Sequence, residues 1–165
     1  EIARILGLNS VAERYADIAK KMAMKWEEMA NEGDHYRLAF DRNNTWSQKY
    51  NIIWDKMWNL NIFPNNVISK EINYYLTKQN LYGLPLDSRR DYTKSDWIMW
   101  TAAMSPNREI FEKFVDPLYK YINETTSRVP ISDWHDTKTG RMTGFKARSV
   151  IGGYWIQVLM DKMNH

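Results

Sequence analysis

The chain has 165 residues, 44% of them apolar and 14% aromatic, enough to build a single ordered core and unlike the composition of a disordered chain. Its 23 basic and 20 acidic residues are interleaved and leave a net charge of +3, so no basic stripe marks a nucleic-acid surface. With no cysteine there is no disulfide, thiolate metal site or cysteine nucleophile, and the longest apolar run, Val150 to Met160, is too short to span a bilayer.

Apolar residues recur at helical spacing nearly throughout. Glu1 to Leu6 reads as the last turns of a helix already under way, stopped by Gly7, which suggests a piece of a longer protein. Ser10 and Glu13 have capping-box spacing, and a helix runs from there to about Ala30 with Val11, Tyr15, Ile18, Ala19, Met22 and Trp26 on one face. A second helix is expected over about Ser47 to Asn59 and a third over Pro64 to Gln79, with the proline in its first turn. A fourth spans Lys94 to Met104, where Thr93 and Asp96 again have capping-box spacing. A fifth starts at Ser105-Pro106 and ends near Glu124, kinked at Pro117, and a sixth covers Val150 to Met163.

Long and short connections alternate. The long ones, of about sixteen, fourteen and twenty-five residues, follow the first, third and fifth helices, and loops of that length are often functional. In antiparallel helical hairpins such alternation puts all three long loops on one face. The helices that follow them are the more apolar ones, as in a ring of inner and outer helices. About six hairpins would close such a ring, so one all-α domain of three hairpins would be half of it.

The stretch from Tyr82 to Ala102 is the richest in candidate chemistry. Arg89 could grip a carboxylate as a fork, and Asp87 could hold an ammonium or polarise water; equally, the two could staple their own loop. Arg90 is assigned to solvent, and Asp96 to the helix start, favoured there by the dipole. In the last long loop Asp133 and Trp134 offer a carboxylate and an aromatic wall, while His135 more often packs or faces water. Arg148 precedes Gly152-Gly153, where backbone amides could approach an anion or helices could simply pack tightly. Tyr50, Trp54 and Trp58 form one helical stripe near Trp46, read as core or as a stacking surface. Asp55 beside that stripe is either a buried carboxylate or a solvated one. The three histidines lack ligand spacing, no phosphate loop is present, and no metal or cofactor is called for.

Several blocks carry a resemblance. They are Trp46-Ser47 with Tyr50-Asn51 and Trp54-Asp55-Lys56, Asn61-Ile-Phe-Pro64, and Tyr82-Gly-Leu-Pro-Leu-Asp-Ser-Arg89. Tyr92-Thr-Lys-Ser-Asp-Trp97, Arg128-Val-Pro with Asp133-Trp134, and Ala147-Arg-Ser-Val-Ile-Gly-Gly153 continue the series. Together they resemble the C-terminal region of the glutaminase A family, known from secreted fungal glutaminases and Bacteroides-type bacterial proteins. The resemblance implies an (α/α)6 six-hairpin toroid of which this chain supplies roughly half, an extracytoplasmic location, and hydrolysis of L-glutamine to L-glutamate and ammonia. Its expected partners are a small-molecule substrate, glutamine or carbohydrate, and the N-terminal remainder of the same protein.

Three readings follow. In a glutaminase-like hydrolase, Arg89 or Arg148 grips the substrate carboxylate, Asp87 or Asp133 holds the ammonium or activates water, and Trp46 and Trp134 wall the pocket. In a glycoside hydrolase, two of Asp55, Asp87, Asp96 and Asp133 act as acid and base. The third is a non-catalytic half-domain. A lone half should also expose the apolar faces of the second, fourth and sixth helices and risk self-association.

Overall fold

The computed structural model describes residues 1–163. Among them are seven α-helices: α1 (Ile2–Ile5), α2 (Asn9–Ala30), α3 (Ile53–Met57), α4 (Asn65–Leu76), α5 (Ser95–Ala102), α6 (Arg108–Glu124) and α7 (Ile156–Met163). Two 3-10 segments, the single turn Tyr50–Ile52 and the seven-residue Ser149–Trp155, lead into α3 and α7. The mostly helical expectation is met, with one correction. Two short strands, β1 (Tyr92–Lys94) and β2 (Trp134–Asp136), pair antiparallel with Thr93 opposite His135. Each buries only its middle residue, too little alternation to register as a strand in sequence. No helix among the described residues is long and apolar enough to cross a membrane.

Helix α5 is the packing centre. Its Ile98 and Ala102 are fully buried and share a core with Ile53, Val67, Tyr75, Leu84, Phe114, Leu118 and Tyr121. Phe114, Leu118 and Tyr121 fall on one face of α6 at spacings of four and three, and that helix runs through Pro117. Its other face carries exposed Arg108–Glu112, Lys113–Glu109 and Lys120–Glu124 pairs, which add little stability each.

Helix starts differ from the capping expectations. The first helix starts at Asn9 without any side-chain cap, because the α1 turn and Gly7 feed straight into it and the Leu8 carbonyl takes the Ala12 amide. α6 starts at Arg108, three residues after the expected Ser105, and is capped by Asn107, whose side chain accepts from the Ile110 amide. The second helix is shorter than expected because Ser47 and Gln48 are drawn into pairing with the next long loop.

The three long loops meet on one side, as their alternation predicts. The Gln48 amide donates to the Leu86 carbonyl at 2.8 Å, and the Ser88 amide to Trp46 at 2.9 Å. Tyr82 donates to Thr137 at 2.8 Å, and Thr137 to Asp91 at 2.7 Å. Buried Gln48 locks the junction: its Nε2 donates to the Leu84 and Pro85 carbonyls and to Thr93 Oγ1, while its Oε1 accepts from Thr101. Gly83 sits at φ +120°, where a Cβ would meet Ile98 Cδ1 at 2.8 Å, so the turn closes directly over α5.

The expected burial of alternate helices needs correcting. The apolar side of α5 is covered, but Trp155, Val158 and Leu159 of the last segment are exposed. Val11, Tyr15, Ile18 and Met22 of α2 are exposed as well, with Ile2, Ile5, Leu6 and Leu8 before them. The uncovered apolar faces are therefore those of α1–α2 and α7.

Candidate functional site

Two charged pairs stand where the long loops converge. In the first, Arg89 donates from Nε to Asp87 Oδ1 at 3.0 Å and from Nη2 to Oδ2 at 2.6 Å, while its backbone amide also reaches Oδ1. Asp87 is buried and Arg89 largely exposed, so the carboxylate staples the loop and presents the guanidinium outward. The pair borders a cleft of about 360 Å³ walled by Trp26, Tyr50 and Trp97. Tyr50 stacks on Trp97 with ring centres 4.1 Å apart, and Trp54 meets Trp100 edge-on at 5.2 Å.

In the second pair, Asp133 is fully buried and receives three bonds. Arg148 supplies two and Lys94 Nζ the third, at 3.1 Å to Oδ2. Burial pulls the Asp133 pKa upward, but the Arg148 and Lys94 bonds outweigh it and hold the group below the usual aspartate value. The Lys94 ammonium lies 4.4 Å from the Trp134 ring centre, and Phe145 flanks the same indole. No hydrogen bond or ion pair joins the two charged pairs among the described residues.

Asp96 stands in the first turn of α5, as expected, but the capping box that its spacing from Thr93 suggests does not form. Thr93 is taken into β1 and bonds Gln48, and α5 begins with no side-chain cap. The Asp96 carboxylate is left buried at 4% exposure, and its Oδ1 has no hydrogen-bond partner. Burial and the charge of nearby Asp133 push its pKa up to about 6, against the pull of its own backbone amide, Lys94 and Arg148. One turn along α5, the indole Nε1 of Trp100 is also buried without a partner. Gly153 covers both: a Cβ there would lie 2.8 Å from Trp100 Nε1 and 3.1 Å from Asp96 Cβ.

The other candidates lie elsewhere. Both Asp55 oxygens accept from the Ile62 and Phe63 amides, closing the turn between α3 and α4. Trp46 packs into the core against Tyr74 and Tyr75. His135 is fully buried, stacked 3.5 Å from Tyr121, and its Nε2–H donates to the Tyr82 carbonyl. Burial pushes its pKa down to about 4. Arg90 is exposed.

Two features carry no warning in the sequence. Buried Glu71 accepts from the Tyr36 amide and the Tyr75 hydroxyl and lies 3.5 Å from Lys49 Nζ, a network that anchors the first long loop. A cavity of about 860 Å³ lies between α5, α6 and α7 among Lys56, Phe111, Tyr119 and Met160. It holds neither the Asp87–Arg89 nor the Asp133–Arg148 pair, and Lys56 there is spent on the Ala103 and Ser105 carbonyls.

Comparison with known proteins agrees with the helical frame. Residues 1–158 match the family described as the glutaminase A six helical-hairpin domain. The chain is 31% identical to the protein named glutaminase A of Aspergillus oryzae, over 96% of this chain and 24% of that protein. It is 26% identical to a protein of Arthroderma benhamiae named as a probable glutaminase, over 98% of this chain and 22% of that one. The chain thus spans about a quarter of the length of these relatives. No solved structure matches it. On the extent of the family match, the chain belongs to the glutaminase A six helical-hairpin domain family.

Proposed function

We propose that this chain is the C-terminal part of a six-hairpin toroid in an extracytoplasmic glutaminase A-like hydrolase, which converts L-glutamine to L-glutamate and ammonia. The observation that carries the reading is the 31% identity, over nearly the whole chain, to a protein named glutaminase A. A free amino acid brings a carboxylate and an ammonium to its site. Arg89 presents a largely exposed guanidinium at the rim of a cleft of small-molecule size, with Nη1 bonding no described residue, and so offers the charge that the carboxylate needs. The remainder of the polypeptide completes the site and covers the apolar sides of α1–α2 and α7; without it, those sides promote self-association. The test is ammonia release from glutamine by the full-length protein. A folded protein that releases none overturns the reading.

A carbohydrate substrate is the second reading, favoured by the stacked Tyr50–Trp97 platform in the cleft wall. Sugar release from glycosides with no ammonia from glutamine would establish it. Activity on neither class would leave a structural half-domain.

A further inference from the structure

The cleft beside Arg89 is lined by the half-buried rings of Trp26, Tyr50, Phe63 and Trp97. Tyr50 and Trp97 stack within 9° of parallel, and Trp26 meets Phe63 edge-on at 5.6 Å. The charged groups that line it, among the described residues, are Lys49, Asp87 and Arg89. Lys49 Nζ donates to the Tyr36 and Ser47 carbonyls and to Ser47 Oγ. Asp87 is buried and paired, so a ligand meets the Arg89 guanidinium above an aromatic wall. In free glutamine the ammonium and the carboxylate sit on one carbon, so the grip on the carboxylate also places the ammonium. Beside Arg89 and Lys49 that second positive charge is repelled. Acylation of the nitrogen removes the charge and adds a planar group that an aromatic wall can stack against. A cleft of about 360 Å³ is also of the size that encloses a molecule larger than a free amino acid.

We infer that the preferred substrate of the hydrolase is glutamine acylated at its α-nitrogen, with the acyl group against Tyr50 and Trp97 and the free α-carboxylate on Arg89. The inference rests on the glutaminase reading above and names the substrate class of that same cleft. Specificity is divided between two ends. The aromatic wall favours a planar, uncharged acyl group over a bare ammonium, and most of all one that carries a ring. The guanidinium selects for a free carboxylate, because an ester in its place offers no charge to the fork. Tyr50 comes from the 3-10 turn before α3 and Trp97 from the first turns of α5, so the wall stands on helical elements, while Arg89 is held by the bidentate bond to Asp87.

The experiment measures ammonia release by the full-length protein from L-glutamine, Nα-acetyl-L-glutamine, Nα-benzyloxycarbonyl-L-glutamine and the methyl ester of the last. The benzyloxycarbonyl substrate should exceed free glutamine in kcat/KM by about tenfold or more, with the acetyl substrate between them. The ester should fall at least about tenfold below its acid. Trp97→Ala should bring the ratio of benzyloxycarbonyl to free substrate down to about threefold or less. Free glutamine used as well as either acylated form overturns this inference and leaves the glutaminase reading intact. An ester hydrolysed as well as its acid, or an undiminished ratio in a folded Trp97→Ala, also overturns the inference alone. A folded wild type that releases no ammonia from any of the four overturns both. Should Trp97→Ala fail to fold, product inhibition of the wild type decides. Nα-benzyloxycarbonyl-L-glutamate should inhibit at a concentration about tenfold lower than L-glutamate, and equal inhibition overturns the inference.

Discussion

Arg148 holds Asp133 at both carboxylate oxygens, Nε to Oδ1 at 3.2 Å and Nη2 to Oδ2 at 2.7 Å, and so ties the start of the last helical segment to the base of β2. Because Asp133 is fully buried and Lys94 nearly so, removing the carboxylate strands the Lys94 ammonium and unpairs the more exposed Arg148. Asp133→Asn is expected to destabilise the protein by about 3–5 kcal/mol, read from the urea midpoint.

Asp96 gives a pH dependence of the opposite sense to an ordinary surface aspartate. Its folded pKa of about 6 lies above the ordinary 3.8, so between those values the native state binds the extra proton. Stability is lost as pH rises through that window. Asp96→Asn should therefore be more stable than wild type above pH 6, by on the order of 2–3 kcal/mol, and the two should converge below about pH 4. Chemical denaturation at pH 4 and pH 7.5 checks this.

His135 works against Asp96 in the same range. Its folded pKa of about 4 lies below the ordinary 6.5, so the unfolded chain takes up a proton that the native state refuses. Its contribution to stability is complete above pH 6.5 and falls away as pH drops toward 4, by on the order of 3 kcal/mol. His135→Phe keeps a ring against Tyr121 but loses the donor to Tyr82. It should be less stable than wild type at pH 7.5 and lose less on acidification to pH 4.5, measured by thermal unfolding.

Asp55 holds the turn between Trp58 and Pro64, in which Asn59 and Asn61 adopt positive φ. Asp55→Ala should cost about 1–2 kcal/mol, the scale of a lost carboxylate cap on backbone amides. A fall in kcat of more than about tenfold in a folded Asp55→Ala would return this residue to the site, since that exceeds what a distant turn should contribute.

How much of this was legible in the sequence depends on the range of the interaction. The amphipathic repeat of α6, with Phe114, Leu118 and Tyr121, is local and could be read directly. So could the convergence of the long loops, which follows from hairpin geometry. Asp96 could not. The spacing of Thr93 and Asp96 fits a helix cap, and what breaks it is a β-pairing of Thr93 with His135 across the fold. Gln48 is equally opaque: a polar residue near the start of an expected helix becomes a buried cross-link because four groups from two distant segments surround it. Asp87 and Arg89 were named together as either staple or site, and their bidentate bond allows the first while the exposed guanidinium leaves the second open.

The bonding among the three loops bears on how specificity could be re-engineered. Trp46 and Gln48 are tied to Leu86 and Ser88, and Tyr82 and Asp91 to Thr137, so no loop holds its shape alone. Transplanting a single loop from a relative would import a segment whose hydrogen-bonding partners stayed behind. The smallest transferable cassette is all three loops together with Gln48, the residue that clasps the first two to α5.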